Sequence, residues 1–307
     1  MSVPRRLIHS SCLSLILLFY TPDVTNDNFS FRGLSQDEVL AEFNSASYDS
    51  TGTDPFPLHI LKKSLSVILP FVTDLFNCII TSSSFPCAWK IARVVPIAKT
   101  DNPSVDSDYR PISILPALSK IFESLVAKQL NTYLMDNQLL CTLQSRYRKH
   151  CSTTTALIKI ENDIRCALDR KLVTVLVLLD FSKAFDSISH NLLCTKLKNL
   201  FSLGNSAIKL IYSYLSGRSQ YVEFDNAESD LSAVTSGVPR GSILGPLLFS
   251  MFINDLPEQL SYCQFHLYAD DFQLYISGSL NEIDDLVDKV NSDIEKIISL
   301  SNFNSIN

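Results

Sequence analysis

Leu176-Val177-Leu178-Leu179-Asp180-Phe181 is an apolar run interrupted by one acid, and Tyr268-Ala269-Asp270-Asp271 sets two more acids between apolar-aromatic runs. Unbroken Val and Leu predict a strand buried on both faces. Such a strand cannot hold a charge, so its first acid marks where it leaves the core. Asp180 stands at that point. Residues 265 to 268 and 272 to 276 predict two short strands around a tight turn that carries Asp270 and Asp271. Adjacent carboxylates repel unless a cation neutralises them. Asp pairs also occur at hairpin turns for their turn propensity alone, so this pair does not decide the matter by itself.

Context decides it. Between the two acid sites lies Ser236-Gly237-Val238-Pro239-Arg240-Gly241-Ser242-Ile243-Leu244-Gly245-Pro246, ahead of an apolar segment. Its three glycines and two prolines imply that backbone comes close to another group. Carboxylate oxygens suit hard divalent cations, and two such ions about 3.5–4 Å apart can clamp the attacking and leaving oxygens of a phosphoryl transfer. That is the chemistry of polymerases and nucleases.

Five ordered blocks carry a family resemblance. Phe85-Pro86 with Trp89-Lys90 leads to Val95-Pro96-Ile97-Ala98-Lys99, followed by Asp108-Tyr109-Arg110-Pro111-Ile112-Ser113. Gln144 to Thr155 comes next, then Leu179-Asp180-Phe181-Ser182-Lys183-Ala184-Phe185-Asp186, then the Gly237 to Pro246 and Tyr268 to Tyr275 pair. Together they resemble the reverse transcriptase domain of non-LTR, LINE-like, jockey-type retrotransposons over roughly residues 30 to 300.

The resemblance implies an α+β, right-hand polymerase fold with fingers and palm, truncated before the thumb. It implies RNA-directed DNA polymerase activity on an RNA template with a DNA primer and dNTPs. Asp180, Asp270 and Asp271 would be the catalytic carboxylates and the ligands of two Mg²⁺ ions, with Mn²⁺ an alternative. Lys99, Arg110, Phe181, Phe185, Arg240 and Gly241 would contact the nucleotide, Phe185 as an aromatic gate against a ribose 2′-hydroxyl. Spacing alone reads Phe185 equally as a core aromatic. Asp186 resembles a structural acid rather than a ligand. The implied organisation is a leader at 1–30, an N-terminal extension at 31–90, fingers at 91–170 and an incomplete palm at 171–307.

Two positions depart from the family pattern. Arg240 stands where the family usually has Gln, a fixed cation in place of a neutral amide. The expectation is lower activity or altered nucleotide selection, relieved by Arg240→Gln. Arg146 stands where the family commonly has Gly, and is strained if that backbone has positive φ. These departures and the expected truncation support a rival reading, an inactive or repurposed nucleic-acid-binding remnant.

The 307 residues with 46% hydrophobic content suffice for one large or two modest domains with a sizeable core. A net charge of −6 argues mildly against nucleic-acid binding, but distribution matters more than the total. Arg146, Tyr147, Arg148 and Lys149 cluster with His150 as a template contact by charge and stacking, or as a solvated loop. Eight cysteines without a CxxC pair indicate neither zinc nor a disulfide framework, and fit a reducing intracellular compartment, nucleus or cytoplasm. Arg5-Arg6 followed by apolar Cys12 to Tyr20 imitates a signal peptide but is too short to span a membrane, so no stable membrane association is expected. The sequence is silent on oligomeric state.

Apolar periodicity predicts helices over 35–43, 58–82, 113–134, 153–170, 190–213 and 281–300, and a strand over 91–97. A hairpin is predicted over 219–235, turning at Asp225-Asn226. Together these suggest a mixed sheet with helices on one side.

Overall fold

The computed structural model describes residues 28–47, 56–144, 153–181, 184–268 and 271–304. Helix α1 (Gln36–Ser45) starts where expected. Ser35 accepts from the Glu38 N–H, and the Glu38 carboxylate reaches back to the Ser35 N–H, a capping box. The apolar stretch beyond it forms α2 (Leu58–Lys63) and α3 (Leu65–Ser82), parted at Ser64 rather than continuous. Val72, Phe76 and Ile79 bury one face of α3, while Val67, Phe71 and Leu75 on the other are exposed. Among the described residues, α3 alone is long and apolar enough to cross a membrane.

Strand β1 (Ile91–Ala98) pairs antiparallel with β2 (Tyr109–Ile114), placing Ile97 opposite Arg110 and Val94 opposite Ser113. Ser113 therefore lies in a strand, and the helix expected to begin there, α4, runs Ala117–Asp136 behind Pro116. Helix α5 (Thr153–Asp169) precedes β3 (Val173–Asp180). The helical stretch expected over 190–213 is two helices, α6 (His190–Asn199) and α7 (Asn205–Leu215). The link between them is as apolar as the helices, with Phe201 and Leu203 buried, and Phe29 clamps it: its N–H donates to the Ser202 carbonyl and its carbonyl accepts from the Gly204 N–H.

Strand β4 (Arg218–Phe224) turns through Asp225 and Asn226, both at positive φ (55° and 65°), into β5 (Ala227–Glu228), and β6 (Ser232–Val234) returns along β4. Two residues at positive φ make the compact hairpin turn that Asp-Asn predicts. β4 also pairs parallel with β1, so residues 218–234 join the sheet of residues 91–114. A division at residue 171 therefore does not follow the sheets. The glycine block leads into α8 (Leu244–Phe252).

The second sheet is antiparallel: β7 (Gln264–Tyr268), β8 (Asp271–Gly278) and β3, in the order β3-β8-β7. Helix α9 (Ile283–Phe303) follows. β3 is not buried on both faces, since Leu176 is 42% and Leu178 68% exposed while Val175, Val177 and Leu179 pack on the core. Helices are not confined to one side either. The alternation that puts Asp271 on one face puts Tyr275 there too, and α5 covers that end, the Tyr275 hydroxyl donating to Asp163 at 2.5 Å. At the far end of β8, Leu286 of α9 packs against Gly278. The described residues form an α+β fold in which β3, β7, β8 and most of the helices pack around one core, while the sheet of β1, β2 and β4 stands outside that core.

Candidate active site

Asp180 closes β3 and Asp271 opens β8, and the ladder sets them directly opposite each other, both exposed. Tyr268 faces Asp271 from the other side; Ala269 and Asp270, between them in sequence, lie outside the described residues. Like charges directly opposite in a ladder destabilise it. The donors are carboxylate oxygens, at the open end of a sheet, with the hardness that divalent cations such as Mg²⁺ favour. Among the described residues no group of three His, Cys, Asp or Glu comes together, Asp180 and Asp271 being two of the three expected. The residues present fit the role.

Segment 184–188 leaves the end of β3 and is met by the glycine block. Gly237 N–H donates to the Ile188 carbonyl at 2.8 Å and Val238 N–H to the Phe185 carbonyl at 2.7 Å. The Ser236 hydroxyl donates to the Asp186 carbonyl at 2.9 Å. Gly237 has φ +83°, and a Cβ there would stand 2.6 Å from Asp186 Cα, so only glycine fits. His190 Nε2 lies 2.8 Å from the Gly237 carbonyl, an acceptor, which fixes the proton on that nitrogen. The other side of the block meets β2: Ser113 N–H donates to the Arg240 carbonyl at 2.6 Å, and a Cβ on Gly241 (φ +107°) would stand 2.5 Å from the Ser113 carbonyl oxygen. The three glycines thus serve close approach, as the sequence implied: Gly237 to the backbone of Phe185 and Asp186, Gly241 to β2, and Gly245 to Ser242 and Pro239 of its own block.

Arg240 is not a lone cation. Its Nε and Nη2 donate to the two carboxylate oxygens of Asp186 at 3.0 and 2.8 Å. The fixed cation that stands here in place of an amide is thus paired with a carboxylate. A cleft of about 300 Å³ opens behind it, lined by Ala92, Pro111, Ser113, Gln220, Asp186 and Arg240.

Phe181 is 7% exposed and belongs to the core, so its side chain is a packing group and only its backbone is left for a nucleotide. Phe185 is half-buried and stacks on Phe249 of α8, ring centres 4.4 Å apart. Lys99 and Arg110 are exposed on the β1–β2 hairpin. Arg110 lies three residues from Ser113, roughly 10 Å along the strand, on the ladder that holds the glycine block. The Asp108 carboxylate accepts from the Ser104 and Val105 N–H groups, which draws its pKa down, and its carbonyl accepts from the Lys99 N–H at 2.7 Å. Arg146, Tyr147, Arg148 and Lys149 lie outside the described residues, as does the stretch 12–20. Gln144, just before the first group, is bridged to Leu267, three residues ahead of Asp270.

Glu123 and Asp293 escaped the sequence reading. Glu123, 1% exposed on α4, accepts from the Ile243 and Leu244 N–H groups at 2.9 and 3.2 Å and from the Tyr214 hydroxyl at 3.1 Å, so it caps α8 where the glycine block ends. A lone acid within Ile121-Phe122-Glu123-Ser124-Leu125-Val126 was the available signal. Asp293, fully buried in α9, accepts from the Ser261, Tyr262 and Cys263 N–H groups and so anchors the approach to β7.

Comparison with known proteins agrees with this geometry. The family model described as reverse transcriptase (RNA-dependent DNA polymerase) matches residues 97–301. The chain is 35% identical over 221 residues to the "Probable RNA-directed DNA polymerase from transposon BS" of Drosophila melanogaster, covering 69% of this chain and 24% of that protein. It is 35% identical over 211 residues to the "RNA-directed DNA polymerase from mobile element jockey" of the same species, covering 66% of this chain and 23% of that protein. It is 28% identical over 235 residues to the "Putative 115 kDa protein in type-1 retrotransposable element R1DM", again from D. melanogaster, covering 75% and 22% respectively. The chain thus spans about a quarter of the length of these relatives. The matched residues 97–301 contain both facing carboxylates, the glycine block and the β1–β2 cations, and by that match the chain belongs to the reverse transcriptase (RNA-dependent DNA polymerase) family.

Proposed function

We propose that the chain is the polymerase core of a non-LTR retrotransposon reverse transcriptase, joining dNTPs to a DNA primer 3′-hydroxyl on an RNA template. The carrying observation is Asp180 opposite Asp271 at the end of the β3–β8 ladder, with the glycine block fastened to the segment that follows Asp180. Asp180, Asp270 and Asp271 would hold Mg²⁺, or Mn²⁺; when bound, such ions activate the 3′-hydroxyl and neutralise the triphosphate. The protein's own part is positioning. Lys99 and Arg110 bind the triphosphate oxygens, where fixed cations stabilise developing charge. Phe185, braced by Phe249, packs against the sugar. Gly241 and the Phe181 backbone line the nucleotide's place, and Arg146, Tyr147, Arg148 and Lys149 carry the template.

In this reading the β1–β2 hairpin belongs to the fingers and the β3-β8-β7 sheet to the palm. The thiol state of Cys78, Cys87, Cys166, Cys194 and Cys263 supports an intracellular location. The test is extension of oligo(dT) on poly(rA) by the purified chain with Mg²⁺, supplied with dTTP or UTP. RNA-templated incorporation of dTTP in preference to UTP supports the proposal, and incorporation of neither overturns it for this chain.

A further inference from the structure

The glycine block is held to the segment after β3 by contacts that each use backbone on at least one side: Gly237 N–H to Ile188, Val238 N–H to Phe185, the Ser236 hydroxyl to the Asp186 carbonyl, and His190 to the Gly237 carbonyl. Each of these contacts is indifferent to the side chain at 186. Against that background the two-point pairing of Arg240 with Asp186 is a link between side chains 54 residues apart, made at the mouth of the cleft between β2 and the block. Arg240 is 29% and Asp186 47% exposed, so the pair is not a core feature. Its geometry is nonetheless the fork-on-carboxylate arrangement that fixes direction as well as distance. The backbone of Arg240 is fixed on its other side, its carbonyl accepting from the Ser113 N–H. The residue thereby joins three pieces: β2, the glycine block and the segment leaving Asp180.

We propose that Asp186 and Arg240 form a matched positioning pair that sets the glycine block against the Asp180-bearing segment, and that Arg is tolerated at 240 because Asp186 neutralises and aims it. This rests on the polymerase reading for its kinetic consequence, but the pairing itself does not. Asp186→Asn releases a cation beside the nucleotide's place and should harm nucleotide use. Arg240→Gln removes that cation, leaving the half-exposed 186 carboxylate to water, and should be tolerated. Removing both charges together, Asp186→Asn with Arg240→Gln, leaves two neutral amides able to hydrogen-bond across the same gap.

Two measurements test this. The first is steady-state primer extension by the parent, both single variants and the double variant, with unchanged circular dichroism as the control for folding. The expected result is a tenfold or greater loss of kcat/KM for dNTP, mostly in KM, in Asp186→Asn alone, with Arg240→Gln and the double variant within threefold of the parent. A double variant as impaired as Asp186→Asn, or an Asp186→Asn variant as active as the parent, overturns the proposal. The second needs no activity: limited trypsin digestion, following the Arg240–Gly241 bond by mass spectrometry relative to cleavage after exposed Arg165. Trypsin must take the Arg240 side chain from Asp186, so Asp186→Asn should speed that cut at least fivefold. Equal rates overturn the pairing. Absence of extension in every protein with a faster cut in Asp186→Asn would contradict the polymerase reading while upholding the pair.

Discussion

Replacing Asp293 by Asn should loosen the approach to the β7–β8 hairpin that carries Asp271, by an amount the structure sets. The carboxylate is fully buried and accepts N–H bonds from Ser261 at 3.0 Å, Tyr262 at 2.9 Å and Cys263 at 2.9 Å, with Lys296 Nζ at 3.1 Å. Burial acting alone would raise its pKa, but the three N–H donors and Lys296 outweigh it and hold the pKa down to about 2, from 3.8. That depression corresponds to about 2 kcal/mol of stability at neutral pH. An amide can keep its one acceptor oxygen on the Tyr262 and Cys263 N–H groups, but then turns its own N–H₂ toward the Ser261 N–H and the Lys296 ammonium, at a further cost of about 1–3 kcal/mol. The total is about 3–5 kcal/mol.

Urea unfolding at pH 6, followed by fluorescence of the single, buried Trp89, should therefore show a midpoint lower by roughly 1 M in the variant. A folded pKa below the unfolded one gives stability that is complete above the unfolded pKa and lost as pH falls through the folded one. Between pH 6 and pH 3 the gap between parent and Asp293→Asn should narrow by about 1 kcal/mol. A gap under about 1 kcal/mol at pH 6, or one unchanged at pH 3, would refute the reasoning.

Other consequences are equally direct. Gly237→Ala forces a Cβ to within 2.6 Å of the Asp186 Cα at a φ of +83°, and should cost about 2 kcal/mol or more in thermal unfolding while lowering extension tenfold. Glu123→Ala strips the cap of α8 and removes the acceptor of the Tyr214 and Ser119 hydroxyls, which should cost about 3 kcal/mol by urea titration. Lys99→Ala and Arg110→Ala, both at exposed positions, should each raise KM for dNTP roughly tenfold with little change in unfolding midpoint.

The parts of the fold that depend on neighbours along the chain were readable in advance. Ser35 with Glu38 gives a capping box, Asp225-Asn226 gives a turn with both φ positive, and the Val-Leu run gives the strand that ends at Asp180. What eluded the sequence is pairing across distance. Tyr109–Ile114 became a strand because β1 offers it a ladder, and periodicity through Ser113 carries no trace of that partner. The parallel pairing of β4 with β1 spans more than a hundred residues and puts 218–234 into a sheet no local pattern announces. Helices ran together in the sequence reading wherever the link was itself buried, as at Phe201 and Leu203, because a link packed in the core is as apolar as the helices it joins. For the site, Asp180 and Asp271 were evident as acids among apolar residues. The Asp186–Arg240 pair was not, although a cation replacing an amide beside a matched acid was a hint that one answered the other.

The most direct test of the account is extension of a 3′-hydroxyl primer on RNA by the parent and by Asp180→Asn, measured at saturating dTTP and Mg²⁺ with both proteins shown to be folded. Facing carboxylates that hold the reaction's cations predict a loss of about a thousandfold or more on removing one of them. Extension by Asp180→Asn within a few fold of an active parent would contradict the assignment of the β3–β8 strand ends as the catalytic centre.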